Sequence, residues 1–361
     1  MKRKFAEVLS IINGRNQKKV ENPNGKYPIY GSGGVMGYAD DYLCKENTIV
    51  LGRKGNINKP IFVDQKFWNV DTAFGLEARR EILLPKYLYY FCCRYDFERH
   101  NKTVTIPSLT KKDLLEIEME IPELPAQNHA VEVIDAIQKN ISNRQHVLTL
   151  LDELVKSRFV EMFGDPVTNP FGFQKILLKD VAEIKIGPFG SLLHQDDYVE
   201  GQHALVNPSH IRGDTIVPDN KLTVSEERYR ELEAYHLQKY DIVLGRRGEM
   251  GRAAVVQENG LLCGTGSLLI RVKEKINPYF LQKIITYPTF KKYIESKSVG
   301  TTMQNLNAKM VSNLEIPIYP LELQNQFSTF VHQVEATKTT VRAQLAALTT
   351  LRAKMMQEFF G

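Results

Sequence analysis

Apolar positions recur at alternating spacings of four and three along two long stretches of the chain, Ala126 to Phe163 and Leu323 to Phe360. The first stripe runs Ala130, Ile134, Ile137, Ile141, Arg144, Leu148, Leu151, Val155, Arg158, Met162. The second runs Phe327, Val331, Val334, Lys338, Val341, Leu345, Leu348, Arg352, Met355, Phe359. Neither stretch contains Gly or Pro, so each is predicted as one continuous helix, about 57 Å long at 1.5 Å per residue. A stripe with this period is a coiled-coil seam. The polar interruptions fall at different heights in the two stretches, with Arg144 aligned to Val341 and Ile141 to Lys338, which favours pairing of the two helices with each other in one register. Two ordinary amphipathic core helices are the plainer alternative, and an uncapped pattern of this length argues against them.

The two stretches are copies. An ungapped offset of 197 aligns Leu109–Gly164 with Leu306–Gly361, with 13 identities in 56 pairs; roughly three would arise by chance, so the chain carries an internal repeat. Among the identities are Leu124/Leu321, Gln127/Gln324, Asn128/Asn325, Leu148/Leu345, Leu151/Leu348, Leu154/Leu351 and a shared terminal Phe-Gly. The segments before each helix have a different rhythm. NPNGKYPIYGSGG carries turn signals, and TIVLGRKGNINKPIFV reads as two strands joined by a Gly/Asn-rich turn. KYLYYFCCRYDFER (Lys86 to Arg99) reads as an amphipathic helix. Beyond the linker-like GDPVTNPFGFQ, the pattern restarts: KDVAEIKIG echoes KFAEVLSII, and IVLGRRG (Ile242 to Gly248) repeats IVLGRKG (Ile49 to Gly55) at an offset of 193. The helices keep their length while the parts before them vary.

With 361 residues, 43% hydrophobic and 25% charged, the chain can bury more than one core. No run of 18 apolar residues is present to span a bilayer, and the first residues lack the apolar stretch of a signal peptide, so the cytoplasm is the expected location. Four cysteines, Cys44, Cys92, Cys93 and Cys263, are spaced for neither a disulfide framework nor a zinc site. The net charge of +5 is concentrated at the start, where residues 1–60 hold 11 Lys/Arg against 5 Asp/Glu. Such a bias suits a polyanion-facing surface, although a solvated face has the same composition.

Familiar catalytic patterns are approached and missed. GSGGVMG has Met36 where a dinucleotide-binding G-x-G-x-x-G needs glycine. NPFG (Asn169 to Gly172) lacks the second proline of an amino-methyltransferase motif. Glu183-x-Lys185 has the form of a nuclease metal site, but its candidate upstream carboxylate, Asp165, lies in the linker. The histidines show no metal-ligand spacing. No catalytic residue and no metal site is assigned.

Binding chemistry remains. Arg53, Lys54, Asn56, Asn58 and Lys59 in the first half, and Arg246, Arg247 and Arg252 in the second, sit on the matched strand-turn element, where a rigid backbone could present them to phosphates or guanine edges. A second candidate group is the polar loop before each long helical segment: Lys102, Thr103, Thr105 and Ser108, then Gly300, Thr301, Thr302, Gln304 and Asn305. Hydroxyls and amides beside glycine can approach a phosphate backbone, and they also make ordinary helix caps. Trp68 and Phe74 read as core.

In this order and duplicated, YPIYGSGG, TIVLGRKGNINKPIFV, FWNVDTAF, IGPFGS (Ile186 to Ser191) and GTTMQNLN (Gly300 to Asn307) resemble the DNA-specificity (S) subunits of type I restriction-modification systems. The resemblance covers the whole chain. It implies an α+β protein with two globular α/β target recognition domains in pseudo-twofold tandem, residues 1–124 and 165–320, separated by two long helices, residues 125–164 and 321–361, packed as an antiparallel coiled coil. Each domain would read half of a bipartite site in double-stranded DNA, and the helices would set the spacing. The chain would be non-catalytic and would recruit methyltransferase (M) subunits, with restriction (R) subunits joining through them. S-adenosylmethionine, ATP and Mg are then expected on those partners and no cofactor on this chain. Two readings of the residues stay open beside this one: an enzyme with an unrecognised site, and a coiled-coil adaptor that binds protein without reading DNA.

Overall fold

The computed structural model describes residues 1–101, 106–248, 251–297 and 305–361. Two helices of forty residues dominate it, Leu124–Phe163 and Leu321–Phe360. Each starts two residues before the apolar run that predicts it. In the first helix this places Pro125 in the opening turn, where a missing N–H costs nothing. Every predicted seam position is shielded from solvent, fully at Ile134, Ile137, Ile141, Val155, Val334 and Val341 and partly at Leu148, Leu151, Leu345, Leu348 and Met355.

The chain divides into two compact units, one made of Met1–Val147 with Thr340–Gly361 and the other of Leu148–Thr339. Each therefore combines a globular part with a portion of both helices. In the first unit the beginning of the first helix meets the end of the second: Ala130, Val131 and Ile134 share a core with Met356, and His129 packs edge-on to Phe359. In the second unit the end of the first helix meets the beginning of the second, with Phe159 against Phe327 and Val155 in the same core as Val331 and Val334. The two helices are antiparallel. Lys338, predicted to interrupt the seam, is only 5% exposed, and its Nζ lies 2.7 Å from Asp152 across the pair and 2.6 Å from Glu335 on its own helix. Burial alone would lower its pKa, but the bonds to Asp152 and Glu335 outweigh that and hold it above the ordinary lysine value.

The globular parts repeat one plan. In the first unit a four-stranded antiparallel sheet has the order Leu9–Asn13, Ala73–Ala78, Thr48–Gly52, Ile61–Val63. In the second the order is Ala182–Ile186, Ser267–Val272, Ile242–Gly245, Ala253–Val255. The central strands Thr48–Gly52 and Ile242–Gly245 are buried at every position, as their unbroken apolar runs require. Glycine follows the first strand of each sheet for a steric reason: a Cβ on Gly14 would lie 1.7 Å from the Val70 carbonyl oxygen, and one on Gly187 would lie 2.0 Å from that of Gly264. Trp68 and Phe74 are buried.

The units differ in a second sheet. The first has three strands, Gly34–Ala39, Tyr27–Gly31 and Trp68–Asn69, the last two parallel. The second has five, with the parallel pair His203–Val206 and Leu261–Cys263 at its centre. The length difference between the halves thus includes added strands and is not confined to loops.

A buried glutamine joins each globular part to its helix. Gln127 accepts from the Leu84 N–H at 2.9 Å and donates to the carbonyls of Ile82 (2.8 Å) and Pro122 (2.9 Å). Gln324 accepts from the Asn277 N–H at 2.9 Å and donates to the carbonyls of Lys275 (3.4 Å) and Tyr319 (2.8 Å). Leu84 and Asn277 are the N-caps of Pro85–Arg94 and Pro278–Thr286, so one amide satisfies backbone groups that helix formation leaves open. No helix among the described residues is long and apolar enough to cross a membrane.

Candidate nucleic-acid interface

The two groups of candidate residues meet in space, and they do so in the same way in each unit. Where Thr48–Gly52 ends, the Arg53 N–H donates to the Thr72 carbonyl at 2.8 Å, and the Arg53 carbonyl accepts from the Leu109 N–H at 2.9 Å. Lys54 and Ser108 pair as an isolated antiparallel bridge, and the Gly55 N–H reaches the Pro107 carbonyl at 3.0 Å. Gly55 has φ +79°, a region costly for any residue with a Cβ. In the second unit the Arg246 N–H donates to Gly266 at 3.0 Å, its carbonyl accepts from Leu306 at 3.0 Å, Arg247 bridges to Asn305, and Gly248 has φ +75°. A strand-turn and the loop that leads back to the long helix are stitched into one surface element, twice.

The side chains diverge. Arg53, Lys54, Asn56, Asn58 and Lys59 all lie on exposed positions. The Arg53 guanidinium sits 5.7 Å from the centre of the Phe74 ring. Lys54, Asn56 and Lys59 make no side-chain hydrogen bond or ion pair among the described residues. Asn58 is structurally committed: its amide donates to Asp96 at 3.0 Å and accepts from the Phe97 N–H at 2.7 Å, tying the turn to the short helix Phe97–His100.

In the second unit Arg247 is exposed, but Arg246 is turned inward at 8% exposure. Its Nε donates to Asn305 Oδ1 at 3.1 Å and the Leu306 carbonyl at 3.2 Å, and its Nη1 to the Thr265 carbonyl at 3.4 Å. Burial, with the neighbouring Arg247 charge, lowers its pKa from the ordinary arginine value. Arg246 is a strut holding loop to turn, and the exposed cation of this element is Arg247. Arg252 is half-buried and donates to the Pro208 carbonyl at 3.2 Å. Of the loop candidates, Ser108 and Asn305 are placed beside the turns; Lys102, Thr103, Thr105, Gly300, Thr301, Thr302 and Gln304 lie outside the described residues.

One neighbour of the first turn went unassigned in the sequence. The tip Ser32–Gly33 of the hairpin formed by Tyr27–Gly31 and Gly34–Ala39 packs on it: a Cβ on Gly52 would lie 3.2 Å from Ser32 Cβ, and one on Gly33 would lie 3.8 Å from Asn56 Nδ2. GSGG signals a turn, but nothing in its pattern says which other turn it will touch.

The residues of the missed catalytic patterns have local structural work. Asn169, at φ +50°, closes the linker turn on the Phe173 backbone, accepting its N–H at 3.0 Å. Asp165 accepts from the N–H groups of Val167 and Thr168 at 2.9 and 3.0 Å. Glu183 and Lys185 form an ion pair at 2.9 Å along one strand. Among the described residues no group of three or more His, Cys, Asp or Glu is placed to hold a metal ion.

A family model described as the type I restriction modification DNA specificity domain matches residues 1–151 and again residues 170–350. The chain is similar to the type I restriction enzyme MjaVIII specificity subunit of Methanocaldococcus jannaschii, with 21% identity over 82% of this chain and 74% of that one. A putative specificity subunit of Haemophilus influenzae is 22% identical over 93% of this chain and 87% of its own. Among solved structures, the S subunit of a type I restriction-modification system from M. genitalium has the same fold, with a TM-score of 0.65 at 19% identity, covering 100% of this chain and 96% of that one.

Proposed function

Because the chain belongs to the type I restriction-modification DNA specificity family, we propose that each half reads one part of a bipartite site in double-stranded DNA. The supporting observation is the duplicated element. The same strand-turn, stitched by the same backbone bonds to the loop before the long helix, occurs once per half and carries an exposed cation at its apex, Lys54 in one and Arg247 in the other. Cations on a rigid turn neutralise phosphates and place the surrounding side chains against base edges. The antiparallel helices set the number of unread base pairs between the half-sites. In this reading residues 1–124 and 165–320 are the target recognition domains, and the helices beyond each, 125–164 and 321–361, are the spacer.

The chain supplies recognition and no reaction. Methylation and cleavage belong to the methyltransferase subunits and to the restriction subunits that join through them in the cytoplasm, and S-adenosylmethionine, ATP and Mg bind there.

The test is to map methylated adenines in the DNA of cells carrying this chain with its methyltransferase subunit. A split motif with a constant gap is expected. Methylation without any split motif, from a complex that assembles and is active, would show that the chain does not read DNA in two parts.

A further inference from the structure

The strand Gly34–Ala39 exposes three large apolar side chains within four residues, Val35 at 55%, Met36 at 62% and Tyr38 at 47%. It is the edge strand of its sheet. Its far end is covered: the Asn22 N–H donates to the Tyr38 carbonyl at 2.9 Å, and Ala39 bridges to Glu21. Its near end, at Val35 and Met36, has no such cover among the described residues. An apolar strand edge left bare is a liability unless something binds there.

Three observations decide what binds. First, this end adjoins the hairpin tip that packs on Gly52, Gly55 and Asn56, which places Val35 and Met36 beside a turn carrying Arg53, Lys54 and Lys59. The cations favour a polyanion over an apolar protein face. Second, Met36 folds back over its partner strand: its Sδ lies 2.6 Å from where a Cβ on Gly31 would stand, and the side chain is still 62% exposed and available to a ligand. Third, the hairpin forms the edge of its three-stranded sheet, the major groove of B-DNA admits a pair of β-strands, and the apolar group displayed there is the thymine C5-methyl.

We propose that this hairpin enters the major groove of one half-site and that Val35 and Met36 read a thymine methyl there. This rests on the reading of the chain as a two-part DNA reader. The phosphate contacts of Lys54 and Lys59 flank the groove, and the methyl contact adds the sequence information that phosphates lack.

The experiment uses the complex with its methyltransferase subunits and a duplex bearing the mapped split site. Each thymine of the site is replaced in turn by deoxyuridine, which removes the methyl and keeps the base pairing. Wild type should lose about fourfold in affinity at one position, in one half-site only, the value of one buried methyl group. A Val35→Ser/Met36→Ser variant, altered only at exposed positions, should show no penalty there, and its methylated motif should relax at that position with the other half-site and the gap unchanged. Equal wild-type binding to every deoxyuridine duplex, or a penalty retained in the variant, would overturn the proposal. So would loss of methyltransferase assembly in the variant, which would make the patch a protein contact. Failure of the two-part reading is distinguishable, because wild type would then give no split motif.

Discussion

Arg53 and Arg246 occupy the same place in two copies of one turn. Their backbone groups make matching hydrogen bonds, to Thr72 and Leu109 in one unit and to Gly266 and Leu306 in the other. Yet the first guanidinium is exposed beside Phe74, and the second is buried among oxygen acceptors. The difference comes from the partner loop. Asn305 and the Thr265 carbonyl give Arg246 an inward cradle, while in the first unit Ser108 stands where Asn305 does and is paired instead through its N–H to Asn101 at 3.1 Å. A repeated motif thus preserves the path of the chain more faithfully than the job of a side chain. Scaffold and reader can separate at a single residue.

This contrast can be broken directly. Arg246→Ala removes a buried cation and strands three oxygen acceptors, so it should destabilise the second unit by about 2–4 kcal/mol, whereas Arg53→Ala should change stability by less than about 0.5 kcal/mol. Hydrogen exchange resolved by unit would show it, and equal effects would dismiss the strut. Next come Gln127→Leu and Gln324→Leu, where the halves agree atom for atom. Each leaves one N–H and two carbonyls unpaired and should cost about 2–3 kcal/mol in its own unit; unequal losses would mean that the resemblance between the joints is superficial. Smaller effects are expected for Lys54→Ala and Arg247→Ala. Each should weaken DNA binding several-fold and reduce the slope of log affinity against log salt by about 0.9, with the recognised bases unchanged. A changed motif would make either residue a base reader. Smallest is Lys338→Met, which removes a buried charge whose partner Asp152 is itself largely solvated. Thermal unfolding should report a change below about 1 kcal/mol, and a larger loss would show that this ion pair is a main support of the helix pair.

The long helices were legible because a 3.5-residue period sustained without Gly or Pro from Ala126 to Phe163 and from Leu323 to Phe360 is far longer than an ordinary core helix needs. The matched strand-turns were legible because the two segments differ only at Lys54 and Arg247 and both end on a glycine, which takes a left-handed conformation in each. The second sheets were not legible. Several of their strands are two to four residues long, such as Trp68–Asn69 and Thr223–Val224, too short for alternation to register. The predicted helix from Lys86 to Arg99 stops at Arg94, because Tyr95 turns extended and Asp96 caps a new turn by accepting the Glu98 N–H. Within the candidate site, residue types located the element but not the direction of each side chain. Asn58 and Arg246 have the chemistry of DNA contacts and are occupied by internal partners, which only the folded neighbours could reveal.

The paired glutamines carry a consequence of a different kind. Gln127 and Gln324 make the same three bonds to the same backbone groups, one at the head of each long helix, although the globular parts they hold differ in size and in the number of strands. They act as an interchangeable fitting. A globular part that presents the same three backbone groups is expected to seat on either helix, so exchanging one half of the molecule for another should leave the rod that carries it unchanged.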